Sequence, residues 1–176
     1  LLLAGPTLAQ TSPPRVLRMA TSVDAATLDP HATNALFTFL VVQQIYESLT
    51  HRGDDLKIAP SLATRWEQLE PTRWRFHLRP EVKFAGGETF DADDVVFSFG
   101  RIKQPQGTMS IYVAGIADIK KIDDHTVDFI LAGPNPLLLR NIGDFFIMSK
   151  PWSEKNKTAN VQDYKAKEEN YASRHV

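Results

Sequence analysis

The run Trp74-Arg75-Phe76-His77-Leu78-Arg79 alternates apolar and polar residues without a break. Successive side chains of a strand point to opposite faces, so Trp74, Phe76 and Leu78 share one face and Arg75, His77 and Arg79 the other. Pro80, which has no N–H to give a ladder, stops the strand, and Gly86-Gly87 marks a tight loop. Beyond Phe90 the period changes to helical. Asp91 is a suitable N-cap for a helix over Ala92 to Lys103, with Asp94 at the third helical position to complete a reciprocal cap. Val95, Val96, Phe99 and Ile102 supply its buried stripe.

Toward the C-terminus, Lys103 to Ser110 holds Pro105 and Gly107 and is predicted as a loop. Ile116 to Ile122 and Thr126 to Leu131 read as strands joined at Asp123-Asp124, a hairpin. The apolar phase slips between Ile119 and Ile122, which predicts a bulge or an edge there. Pro134 and Pro136 lead into a short helix over Leu137 to Ile142, Phe145 to Met148 reads as another strand, and Trp152 to His175 as a solvated helix or linker. Toward the N-terminus, Val16 to Ala20 is a short strand and Leu28-Asp29-Pro30 a turn. Ala35 to Leu49 is a helix capped by Asn34, burying Phe37, Leu40, Val41, Ile45 and Leu49. His51 to Asp55 is a turn, and Ser61-Leu62-Ala63 begins a helical turn that carries Trp66. The pattern is α+β, with helices against mainly antiparallel strands.

Composition narrows the function. The 176 residues are 43% hydrophobic and 23% charged, ordinary for a folded domain with a core. A net charge of −1 without a basic block gives no footprint for a nucleic acid. These 176 residues hold no cysteine, so within them no disulfide, thiolate metal site, cysteine nucleophile or lipid-anchoring cysteine is expected. Leu1 to Ala9 reads as the remnant of a secretory signal, an apolar run ending in the small residue that a signal peptidase needs, with Gln10 to Val176 as the folded part. No later run approaches the roughly 18 uninterrupted apolar residues of a membrane-spanning helix, so the expectation is an exported, soluble protein.

Several segments, in order, resemble the family 5 extracellular solute-binding proteins, which include oligopeptide, dipeptide and nickel binders. The matching residues are Thr27-Leu28-Asp29-Pro30, Ile45-Tyr46-Glu47-Ser48-Leu49, Ile58-Ala59-Pro60-Ser61-Leu62-Ala63, Trp66, Trp74 through Phe84, and Phe90-Asp91-Ala92-Asp93-Asp94-Val95-Val96-Phe97-Ser98. One departure is Phe84-Ala85-Gly86-Gly87, where the family usually has Asp or Asn before the glycine. The resemblance implies a periplasmic binding protein-like fold of class II, two lobes closing on a ligand, of which this chain is the first-lobe portion with the second lobe missing. It also implies a monomer without a cofactor or enzymatic activity, located in the periplasm. Its partners would be a peptide or other small solute and the inner-membrane permease of an ABC transporter. Nickel chelates, opines and sugars are alternative ligands. Because closure needs surface from both lobes, the portion alone is expected to bind weakly or not at all.

The resemblance places Asn34, Leu36 and Phe37, after Asp29-Pro30, near the cleft, and Tyr112, Phe146 and Met148 at positions that line the pocket. Each has a plainer reading: Asn34 as a helix cap, Tyr112 as a packed tyrosine, Phe146 and Met148 as core. Capping and the helix dipole account for Asp91, Asp93 and Asp94 without catalysis. The five histidines lack ligand-like spacing for zinc. A secreted hydrolase using Glu88 and Asp91 is the rival from another class, and the sequence offers it no nucleophile or base-orienting partner.

Overall fold

The computed structural model describes residues 23–163 and 165–176. The expected strands Trp74 to Arg79, Ile116 to Ile122 and Thr126 to Leu131 assemble with a fourth into one antiparallel sheet. Its strands are β3 (Ala63–Glu70), β4 (Arg73–Leu78), β5 (Ile116–Asp123) and β6 (Thr126–Leu131), in the order β3-β4-β6-β5. Phe76 pairs with Trp66 on one side and Val127 on the other, which fixes the register from both edges. A two-stranded sheet, β1 (Thr50–Arg52) with β2 (Ile58–Pro60), stands apart.

Period two divides the larger sheet as the sequence predicts. Phe76, Leu78, Val127, Phe129, Ile116 and Ile119 face inward and are buried, with the Phe76 and Phe129 ring centroids 4.7 Å apart. Helix α2 (Ala92–Ile102) lays Val95, Phe99 and Ile102 into the same core. Its start is the reciprocal cap read from sequence: the Asp91 carboxylate accepts from the Asp93 N–H, and the Asp94 carboxylate accepts from the Asp91 N–H. On the opposite face Asp128 is buried because the Arg73 and Arg75 guanidiniums, its neighbours across the β4–β6 ladder, both donate to it. The pairing of β5 with β6 shifts between Lys121 and Asp123, where the apolar phase slips.

Several local expectations are corrected. Helix α1 is only Leu36–Val42, because the chain beyond it is recruited into backbone pairing: Glu47 accepts from Ile147 N–H, Ser48 from Leu62 N–H and Leu49 from Ala63 N–H. Its buried side is Thr38 and Val42, while Leu40 and Ile45 are exposed. Asn34 does not cap α1; its side chain accepts from the Thr108 hydroxyl. Ser61-Leu62-Ala63 opens strand β3 rather than a helical turn, since pairing with Leu78 outweighs a weak local preference. Phe145 to Met148 runs extended, but its ladder is one isolated bridge, Ser48 to Phe146.

A further correction concerns Trp152 to His175, which is no solvated linker. Helix α4 (Lys150–Lys155) and a 3₁₀ turn at Tyr171–Ser173 frame a segment that buries Thr158, Val161, Gln162 and Ala172. The remaining helix, α3 (Leu138–Asn141), runs into a 3₁₀ turn at Ile142–Asp144. Val16 to Ala20 and Leu1 to Ala9 lie outside the described residues.

Candidate functional site

Helix α2 carries a polar stripe inside its buried face. Asp94, Ser98 and Arg101, spaced four and three residues apart, are all buried, and each binds the backbone of the segment that follows Ile147. The Asp94 carboxylate accepts from Lys150 N–H at 2.7 Å and the Ser98 hydroxyl from Met148 N–H at 2.9 Å, while Arg101 Nε donates to the Thr158 carbonyl at 2.9 Å. Burial pushes the Asp94 carboxyl up to about 6, and the two N–H groups it accepts from only partly oppose this.

Arg101 also holds the N-terminal segment. Its two terminal nitrogens donate to the two Asp29 oxygens at 2.7 and 2.6 Å. Asp29 accepts further from Gln162 N–H and the Asn170 amide. Burial raises the Asp29 carboxyl, but the guanidinium and these hydrogen bonds outweigh it and bring it down to about 2. His31 completes the knot. Arg101 has only hydrogens to offer, so His31 Nδ1, 3.1 Å away, must accept. The proton therefore sits on Nε2, which donates to the Phe146 carbonyl at 2.9 Å. Burial first, then the adjacent guanidinium, lowers His31 to about 4, so the ring is neutral. One knot thus ties residues 29–31, α2, the backbone at Phe146 and residues Thr158, Asn160, Gln162 and Asn170.

This frame positions the residues expected at a site. Asn34 and Thr108 bond each other, bringing the start of α1 beside the 3₁₀ turn Met109–Val113 that carries Tyr112. Leu36 stands 70% exposed on this ledge, with Asn34 exposed and Phe37 half-buried. Tyr112 packs partly against the core. Phe146 and Met148 are buried. The Phe146 ring lies 5.4 Å from Phe39 and 6.5 Å from Tyr46, at the floor of a polar groove of about 460 Å³. Met148 faces a different, mostly apolar pocket on the other side of Tyr46.

The polar groove collects charge of both signs. Arg52 and Arg140 line it with Glu47 and Asp144, and among the described residues none of the four has an ion-pair partner. The Glu47 carboxylate accepts from the Ser61 hydroxyl. Burial raises Asp144, while Arg52 and Arg140 pull it back down. Burial likewise raises the Tyr46 phenol well above its ordinary value. A groove that brings two guanidiniums and two carboxylates together beside aromatic rings is suited to a small polar ligand with separated charges.

The model of the bacterial extracellular solute-binding proteins, family 5 (Middle), matches residues 57–173. The chain belongs to this family. Among solved structures it is similar to the binding protein MoaA of A. tumefaciens R10, in complex with mannopinic acid, at 32% identity and a TM-score of 0.69. That match covers 76% of this chain and 29% of that protein. It also superposes on OppA of Burkholderia pseudomallei with a TM-score of 0.73 over 79% of this chain and 31% of that one; at 20% identity this speaks for the fold. A curated relative is the HTH-type transcriptional regulator SgrR of Escherichia coli O6:K15:H31 (strain 536 / UPEC), 35% identical over 116 residues, 64% of this chain and 20% of the regulator. The chain thus spans about a fifth of the curated relatives and under a third of these solved structures. The α+β arrangement with antiparallel sheets is that of the periplasmic binding proteins of this family.

The sequence reading does not assign Asp29, His31 and Arg101 these roles, although Asp29 lies in the Thr27-Leu28-Asp29-Pro30 stretch. The available signal was the spacing of Asp94, Ser98 and Arg101, a polar stripe at helical period beside the apolar one. Asp91, half of the rival hydrolase pair, is occupied by capping, and Glu88 lines the apolar pocket.

Proposed function

We propose that the protein captures a small zwitterionic solute, a peptide first among the candidates, in the periplasm and presents it to the permease of an ABC importer, by binding rather than catalysis. Membership of the solute-binding family carries this reading. The polar groove supports it, since Arg52 and Arg140 suit a ligand carboxylate while Glu47 and Asp144 suit an ammonium. The ledge of Asn34, Leu36, Phe37 and Tyr112 would present a second wall, with Phe146 under the groove and Met148 behind it. In this reading the protein acts as an exported monomer released from its signal segment at Ala9.

Calorimetric titration of the whole gene product with mixed short peptides and with mannopinic acid tests the proposal. Saturable binding of a peptide, weakened by Arg140→Ala, supports it. Heat from mannopinic acid alone moves the ligand class to opines, and none from either defeats the zwitterion reading.

The similarity to SgrR favours a second reading, in which the same solute-binding unit reports a ligand to a regulator rather than to a permease. Copurification of the permease with the gene product separates the two.

A further inference from the structure

We propose that the apolar pocket beside Trp152 is a separate site for a small organic cation, an amine carried on an aromatic or aliphatic body. The pocket holds about 260 Å³, enough for a body of one ring, and is walled by Ile45, Tyr46, Phe84, Met148 and Trp152. Glu88 enters the same wall, and its Oε2 is buried with no hydrogen-bond partner among the described residues. A carboxylate oxygen withdrawn from water and left unbonded costs free energy that a cationic donor would recover. The aromatic faces add attraction for the same charge, and their apolar surface takes the body attached to it.

The loop leaves room for that carboxylate against Gly86. Phe84 and Glu88 pair through Phe84 N–H to the Glu88 carbonyl, and Gly87 donates back to the Phe84 carbonyl with a positive φ of 94°. A Cβ on Gly86 would strike both carboxylate oxygens, so the Glu88 side chain lies where only a glycine leaves room. Trp152 sits in the first turn of α4, where its backbone N–H donates to the Ser149 hydroxyl, and its ring lies 5.9 Å from that of Tyr171. A buried carboxylate oxygen without a partner beside an aromatic wall describes an amine site.

Calorimetric titration of the whole gene product with phenethylammonium, with neutral 2-phenylethanol and with phenylacetate tests this. Phenethylammonium should saturate, with the alcohol about tenfold weaker or more, as expected for loss of a charge-assisted hydrogen bond, and phenylacetate silent. Glu88→Gln should erase the preference for the cation. Gly86→Ala should do the same with little loss of melting temperature, because the displaced group is the free end of a flexible side chain. Equal binding of cation and alcohol, full affinity in Glu88→Gln, or no saturation by phenethylammonium overturns the proposal. Neither Glu88 nor Gly86 lines the polar groove, so peptide binding there stands or falls independently.

Discussion

Arg101 and Asp29 meet as two parallel hydrogen bonds, Nη1 to Oδ1 at 2.7 Å and Nη2 to Oδ2 at 2.6 Å, with both side chains wholly out of solvent. Seventy-two residues separate them in sequence, so the pair closes the N-terminal segment onto α2. Breaking such a pair leaves one charge buried without compensation. Asp29→Ala is expected to cost about 3–5 kcal/mol by urea unfolding, while Asp29→Ala with Arg101→Met together costs less than the sum of the singles. Arg101→Lys should not rescue, because an ammonium cannot form the planar two-pronged contact. An additive double variant would show that the two residues act separately.

The stability of this region should depend on pH through two opposing groups. His31 is lowered to about 4 in the fold, so between about 4 and its ordinary value of 6.5 the unfolded chain binds more protons. Its contribution is present above that window and lost as pH falls through it. Asp94 is raised to about 6 from 3.8, so there the folded chain binds more protons, and stability gains as pH falls. Each can contribute at most about 1.4 kcal/mol per pH unit. His31→Gln should therefore turn the slope of stability between pH 4.5 and 6 negative, and Asp94→Asn should make it steeper and positive. Urea midpoints across that range report both, and unchanged slopes would refute the assignments.

Legibility in the sequence followed the range of the forces involved. The strand at Trp74 to Arg79 and the cap at Asp91 are decided by neighbours within a few residues, and both stand where the pattern placed them. Helix α1 was read too long because Glu47, Ser48 and Leu49 take backbone partners at Ile147, Leu62 and Ala63 that no local period announces. The segment after Trp152 looked like a solvated linker because its anchors, Asp29, Arg101 and Gln104, lie far away in sequence. At the candidate site, the ledge of Asn34, Leu36 and Phe37 was legible through resemblance alone. The groove was not, since it joins α1, β1 and the Arg140 to Phe146 turn only after folding.

Gly107 offers a local test of how tightly residues 29–34 are seated. It is buried, its own φ requires no glycine, and yet a Cβ there would run into the His31 carbonyl, a backbone atom that cannot swing aside. Gly107→Ala should destabilise by about 1–3 kcal/mol, as forced overpacking does. The strain should spread to the Thr108–Asn34 contact and so reach the proposed ligand ledge. A melting temperature equal to that of the parent would show that residues 29–34 can shift freely.

The cap of α2 bears on more than helix stability, because the same helix carries the stripe that holds the 148–160 segment. Asp91 accepts from Asp93 N–H at 2.7 Å, and its own N–H is held by Asp94. Asp91→Ala should cost about 1 kcal/mol and Asp91→Ser only a few tenths, since serine caps nearly as well. Asp94 has a second duty, accepting from Lys150 N–H, so Asp94→Ala should cost more than Asp91→Ala despite its smaller part in capping. Hydrogen exchange separates the two effects. Asp91→Ala should expose chiefly the first turn of α2, whereas Asp94→Ala should also release the Lys150 amide. Equal exchange patterns in the two variants would mean that Asp94 serves the cap alone.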